Sequence, residues 1–338
     1  MTIPKQTRRV FLSERPKGHI TETTFKNEIT NLPAPTADQV IVRVDYVSLD
    51  PAMRVWLNGD VTYVPPVQIG ETMRGGGVGT VVHGNDQIKE GDLVYGTLGW
   101  AEYVVASSQT LRRLALPEGF NVVDYLGALG TTGMTAYFGL LEVGRLKEGD
   151  TLVVTAAAGA VGHLVCQIGK IKGARVIAIA SGPKCTWLTD ELGVDAALDY
   201  KSPIFAKEFC EIVGRLDVFF DNVGGEILDL ALTRLNRGAR IVLCGTIATY
   251  NTDGLEDSKG IKNYSSLIIQ RAEIRGFVVH DYKERFKEAE ANLIKWIRED
   301  KLKRRYQIED GLEQCPQYLR MLFSGRNTGK LLVKISKE

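Results

Sequence analysis

The sequence predicts an α/β protein in which a barrel-like run of short strands is followed by a doubly wound parallel sheet. Three observations carry that prediction. From Val10 to about Leu116, short β-type runs are separated by turn residues; beyond Leu116-Pro117-Glu118-Gly119, six apolar runs alternate with helical segments; and Ala157-Ala158-Gly159-Ala160-Val161-Gly162 joins one of those runs to a helix.

In the first part, Val40-Ile41-Val42-Arg43-Val44 alternates, Val78–Val82 follows a glycine cluster, and Asp92–Gly96 follows Glu90-Gly91. A period of two with closely set turns marks strands in antiparallel pairing. After Gly119 a helical segment is expected near Leu126–Val143, then strands at Thr151–Thr155, Ala174–Ala180, Ala196–Tyr200, Asp217–Asp221, Ala239–Gly245 and Ile274–Val279. Continuous apolar runs with helices between them suit a parallel sheet covered on both faces. A charged helix over Lys283–Glu299 sets Phe286, Ala289, Leu293 and Trp296 at helical spacing, and a last β segment, Lys330–Ile335, is expected to return to the first domain. The expected organisation is a substrate domain over 1–123, a nucleotide domain over 124–299 and a returning segment over 300–338.

Composition excludes several classes. Forty-two basic against 41 acidic side chains leave a net charge of +1, so no global field favours nucleic acid or an anionic membrane. Five scattered cysteines without a C-x-x-C pair imply no disulfide framework. The start lacks the apolar core of a signal peptide, and no run approaches a membrane span. A cytoplasmic protein is expected.

A pyrophosphate needs backbone N–H groups at a helix N-terminus and little bulk where strand turns into helix. Thr151-Leu152-Val153-Val154-Thr155 supplies the strand, and Ala157, Gly159 and Gly162 fall on the three positions of G-x-G-x-x-G, the first as alanine. A glycine pattern alone marks only a turn; within six alternating strands it marks a nucleotide site. Asp221-Asn222-Val223-Gly224-Gly225 and Cys244-Gly245-Thr246 offer two further turns at strand ends. The second strand ends in Ala180-Ser181-Gly182-Pro183-Lys184. With no acid to bind a ribose diol and a lysine to attract a 2′-phosphate, NADPH is favoured over NADH.

The same barrel-plus-Rossmann order belongs to zinc alcohol dehydrogenases, so metal ligands were sought. Ser48-Leu49-Asp50-Pro51 stands where such enzymes place their first cysteine, and no cysteine cluster exists for a structural zinc. His19, His83, His163 and His280 lie at no ligand spacing from one another, and surface or capping roles are expected for them. No metal is expected.

Asp50-Pro51-Ala52-Met53-Arg54, Gly99-Trp100-Ala101-Glu102-Tyr103, Gly133-Met134-Thr135-Ala136-Tyr137, the Ala157 to Gly162 turn, Phe220-Asp221-Asn222-Val223-Gly224-Gly225-Glu226, Gly276-Phe277-Val278-Val279 and Asn327-Thr328-Gly329-Lys330 occur in this order. In these segments the chain resembles the zinc-independent medium-chain dehydrogenase/reductases, in the branch of alkenal double-bond reductases and leukotriene/prostaglandin reductases. The resemblance implies a GroES-like β-barrel catalytic domain beside the Rossmann domain, and a homodimer. It implies that Gly159, Ala160, Val161 and Gly162 contact pyrophosphate, and that Ser181, Lys184 and Tyr200 hold the 2′-phosphate end. Asn222, Cys244, Gly245, Thr246 and Tyr250 would line the nicotinamide half, with Phe277, Val278 and Val279 flanking it. Pro51, Met134, Thr135 and Asn327 would border the cofactor, and Ala52, Arg54, Tyr63, Tyr264 and Ile269 the substrate.

The implied reaction adds hydride to the β-carbon of a small apolar enone or enal and a proton to its α-carbon. Charge develops on the carbonyl oxygen, so a donor is needed there. Relatives commonly carry Tyr where this chain has Ala52 and Ile269. Tyr63, in a loop like the tyrosine-bearing loop of plant relatives, is the leading donor, with Tyr250 and Tyr264 behind it. A quinone oxidoreductase and a catalytically silent NADPH-binding protein are the alternatives.

Overall fold

The computed structural model describes residues 4–60, 62–252 and 260–336. The chain divides into two compact units, Met1–Leu126 with Tyr306–Glu338, and Gly127–Arg305.

The first unit opens with β1 (Gln6–Leu12) and β2 (Phe25–Asn31), an antiparallel pair. β3 (Gln39–Ser48) leads into the single-turn helix α1 (Met53–Trp56); then come β4 (Gly76–His83), β5 (Leu93–Thr97), β6 (Tyr103–Ser107) and the short β7 (Arg112–Arg113). Alternation in β3 predicts one buried face, yet Ile41 is as buried as Val40 and Val42. β3 is an inner strand, bonded to β4, β6 and β15, and Ile41 is buried on the face opposite to the one that Val40 and Val42 give to the core. The glycine cluster serves close strand crossing, since a Cβ at Gly79 would stand 2.2 Å from the Arg43 carbonyl oxygen.

The second unit begins with α2 (Thr131–Phe138), which continues into a π-helical turn over Gly139–Val143. β8 (Thr151–Val154), α3 (Gly162–Ile171), β9 (Arg175–Ala180), α4 (Lys184–Asp190), β10 (Ala196–Asp199), α5 (Phe205–Val213), β11 (Leu216–Asp221), α6 (Gly225–Leu232) and β12 (Leu235–Leu243) then alternate. α7 (Ser265–Gln270), β13 (Glu273–Gly276) and α8 (Phe286–Arg298) complete the unit. All six strands are parallel, in the order β10-β9-β8-β11-β12-β13. The order reverses between β8 and β11, the switch point beside which doubly wound sheets bind ligands.

Two boundaries differ from expectation. β12 starts at Leu235 rather than Ala239, because Gly238, at φ +75°, lets the strand kink past Asn236 and Arg237 while its pairing with β11 shifts register. β13 stops at Gly276 rather than Val279: it is an edge strand whose only ladder runs to β12 and ends at Leu243–Gly276, after which Val279–Arg285 winds into a 3-10 helix. In α8, Ala289, Leu293 and Trp296 are buried as their spacing predicts.

The chain then re-enters the first unit through β14 (Tyr306–Asp310), α9 (Cys315–Phe323) and β15 (Lys330–Lys334). β15 pairs antiparallel with β3 and parallel with β14, giving the seven-stranded sheet its edge. Among the described residues no helix is long and apolar enough to cross a membrane.

Candidate active-site residues

In the second unit, the parallel strands β8, β9, β11 and β12 end on the same edge of the sheet, each in a turn singled out by sequence. After β8 the chain turns sharply at Ala156, which holds the left-handed φ of +47°, while the N–H of Ala157 donates to Ile179 O at 2.9 Å. The left-handed residue is thus Ala156, one position before the alanine aligned with the first glycine. Gly162 cannot be replaced: a Cβ there would lie 2.4 Å from the Ala156 carbonyl oxygen and 2.8 Å from Ala157 Cα. That approach brings the start of α3 against the end of β8, so the positive end of the helix dipole stands at this turn. This is the cradle a pyrophosphate requires, and the residues fit a dinucleotide.

A buried carboxylate ties three of these turns together. Asp221, at the end of β11, accepts the Thr155 hydroxyl at 2.9 Å and the N–H groups of Val223 and Gly224 at 3.0 Å, while its own carbonyl accepts the N–H of Cys244 at 2.8 Å. Burial raises its pKa despite those donors. Asn222 is locked in turn, donating its N–H to Thr155 Oγ1 and its amide Nδ2 to Thr155 O, both at 2.7 Å. Asp221 and Thr155 stand inside the quoted segments, but the sequence assigned them no role; a Thr and an Asp at the ends of neighbouring apolar strands were the signal.

Lys184 starts α4, its N–H bonded to Ser181 O at 3.2 Å, and Tyr200 follows β10 with its N–H on Ala180 O at 3.0 Å. The two residues therefore leave adjoining strands. Burial and the neighbouring Lys201 lower the Lys184 pKa, so two like charges stand near each other at these strand ends. Lys201 escaped the sequence reading. Beyond β12, Gly245 precedes Thr246, whose N–H donates to the Tyr250 hydroxyl at 3.3 Å. Burial, and then the Asp221 charge, push the Cys244 thiol up to about 12, so it stays protonated and is no nucleophile.

Phe277 and Val278 are half-buried and Val279 buried, and none of them lies in the strand. A Cβ at Gly139 would come within 2.6 Å of the Phe277 ring, so that glycine makes room for it. Met134 is buried in α2, and Thr135 donates its hydroxyl to Thr131 O at 2.8 Å. Tyr264 and Ile269 flank the two ends of α7 and are 63% and 66% exposed.

His163 corrects an expectation: it is buried, not a surface group, with Nδ1 at 2.8 Å from Gly159 O in the 157–162 turn. Burial lowers its pKa to about 4, more than its contacts with the Gly159 and Ala160 carbonyls raise it. His280 lies in the 3-10 helix rather than at a strand end.

In the first unit, Pro51 and Ala52 lead into α1 and are half-buried. Arg54 corrects a second expectation. It is 2% exposed and donates to the carbonyls of Gly18 and Pro16 and to Asn58 Oδ1, so it anchors the helix rather than offering its charge to a substrate. Asn327 donates its amide to Gly329 O at 3.2 Å. Lys330, 1% exposed, reaches from β15 to Leu49 O at 2.9 Å and Asp50 Oδ1 at 2.7 Å, and Ser48 donates to the other Asp50 oxygen. This buried ammonium joins the 327–330 turn to the 50–54 turn. Tyr63 is 53% exposed, and its hydroxyl accepts the Trp56 indole N–H at 3.2 Å.

Among the described residues, no three His, Cys, Asp or Glu side chains gather as a metal site.

Family models match both parts of the chain: the N-terminal domain of oxidoreductase over residues 8–114, and one described as zinc-binding dehydrogenase over 160–296. The chain is 38% identical to the NADPH-dependent curcumin reductase of Escherichia coli, covering 98% of both. It is 36% identical to the NADP(+)-dependent 2-alkenal reductase of Nicotiana tabacum, again covering 98% of each chain. The chain belongs to the medium-chain dehydrogenase/reductase family, in the branch of alkenal and prostaglandin reductases. The crystal structure of CurA from Vibrio vulnificus in complex with NADPH superimposes with a TM-score of 0.92 at 37% identity, over 98% of this chain and 100% of that one.

Proposed function

We propose that this member of the family reduces the C=C bond of small apolar α,β-unsaturated ketones and aldehydes with NADPH. Near full-length likeness to reductases of 2-alkenals and of curcumin carries the reading, because both substrates place a C=C bond beside a carbonyl. The absence of an acid where β9 ends, with Lys184 following it and Lys201 following the adjoining β10, supports NADPH over NADH.

When bound, the cofactor supplies a hydride, which adds to the β-carbon and sends an electron pair onto the carbonyl oxygen. The chain's task is to bind, orient and answer that charge. Gly159 to Gly162 take the pyrophosphate, and Lys184 with Tyr200 the 2′-phosphate. Asn222, Cys244 to Tyr250 and Phe277 to Val279 bound the nicotinamide half. Tyr63 gives the enolate oxygen a hydrogen bond, and a solvent proton completes the α-carbon.

The test is turnover of NADPH with 3-nonen-2-one and, separately, with a quinone, products identified by mass. A saturated ketone from the first is expected together with slow or no use of the second. Quinone reduction without alkene saturation would replace this reading by the quinone oxidoreductase one.

A further inference from the structure

Trp56 and Tyr63 differ in how firmly they are held. α1 is only one turn long, but Met53 and Leu57 at its ends are fully buried and Arg54 is bonded to the 16–18 loop. Trp56 packs on the same core, and its carbonyl accepts the N–H of Val67, itself buried, at 2.8 Å. Its indole is therefore fixed. Tyr63 sits in an exposed stretch whose turn is held by Thr62 Oγ1 on Val64 O at 3.2 Å, and its ring is not part of the core.

We propose that Trp56 is a positioning residue for Tyr63: its indole N–H holds the phenol oxygen so that the phenol proton is presented to the carbonyl oxygen of the substrate. The proposal rests on the reading that Tyr63 meets that oxygen. Indole nitrogen donates and never accepts, so the 3.2 Å contact has one polarity, with Tyr63 as acceptor. A phenol that accepts one hydrogen bond on its oxygen has its own O–H aimed elsewhere, and that O–H becomes a stronger donor through polarisation. An exposed tyrosine would otherwise spread its hydroxyl over many orientations and lose the preorganisation that transition-state stabilisation needs. The indole of Trp100 is a contrast: it is wholly buried, yet its N–H has no partner among the described residues, so burying an indole ring does not by itself supply an acceptor.

Trp56→Phe keeps an aromatic ring and deletes the donor. With an enone and NADPH, kcat is expected to fall about 3- to 10-fold, the range of one modest hydrogen bond, with KM for NADPH unchanged. In a Tyr63→Phe background the same substitution is expected to cost nothing further, because the group through which it acts is gone. Independently of turnover, the Trp56 indole N–H resonance, one of four, assigned by its loss in Trp56→Phe, is expected to shift in Tyr63→Phe. Equal losses in both backgrounds, or an indole resonance indifferent to Tyr63, would overturn the proposal. An unchanged kcat in Tyr63→Phe would overturn the Tyr63 reading and this proposal with it; a lowered kcat there beside an unaffected Trp56→Phe overturns the positioning alone.

Discussion

The edge of the parallel sheet and the Asp50–Tyr63 segment of the first unit achieve order by different means. On the sheet edge, the geometry is made by backbone and short local side chains: Gly162 against Ala156, and the Asp221 carboxylate and carbonyl gathering the Thr155 hydroxyl and the N–H groups of Val223, Gly224 and Cys244. In the first unit it is made by long side chains crossing large sequence distances, Arg54 to Gly18 and Lys330 to Asp50. Backbone geometry restricts which residues are allowed at a position and so leaves a motif. Side-chain bridges do not.

The largest expected effect lies on the sheet edge. Gly162→Ala drives a methyl group into the Ala156 carbonyl, and the NADPH dissociation constant should rise about 100-fold, consistent with the upper range of overpacking costs. A fluorescence titration that finds affinity unchanged would show that the turn tolerates bulk and break the comparison.

Next comes acid sensitivity. The buried His163 has a folded pKa of about 4 against about 6.5 unfolded, so the unfolded chain binds the extra proton between those values. Stability contributed by the neutral ring is complete above pH 6.5 and is lost as pH falls toward 4, on the order of 3 kcal/mol in all. Melting temperatures from pH 4 to 7 should show this slope in the wild type and a shallower one in His163→Gln.

Lys184→Ala should weaken NADPH about 10- to 100-fold and leave NADH nearly untouched, since only one ligand carries the 2′-phosphate. Equal losses for both would detach Lys184 from that role. The smallest effect belongs to the side-chain bridge: Lys330→Met should lower stability by about 1 kcal/mol, less than for a fully enclosed pair because the Asp50 side chain is 37% exposed. Thermal unfolding reads it, and no change would show that the bridge does not hold the 50–54 turn.

The same difference explains what could be read from the sequence. Six apolar strands and their three polar turns were legible because each is local, written within about ten residues of chain. The absent acid after β9 was legible too. At Lys330 the sequence shows a strand start and the end of Asn-Thr-Gly-Lys but not the buried ion pair, since its partner lies 280 positions away. Arg54 read as a charge near the substrate because nothing in Pro-Ala-Met-Arg reveals that the carbonyls of Pro16 and Gly18 consume it. Trp56 was invisible for a subtler reason: it stands seven residues from Tyr63, but α1 ends at Trp56, so no regular element carries that spacing and a loop contact leaves no period to read. His163 misled because a histidine next to a glycine turn suits a cap, and only packing shows it buried.

The most direct test of the account is the destination of the hydride. NADPH carrying deuterium at the transferable C4 position is incubated with 3-nonen-2-one, and the product is examined by proton and deuterium NMR. Deuterium on the β-carbon of a saturated ketone is the predicted result; deuterium on a carbinol carbon, with the double bond intact, would contradict it.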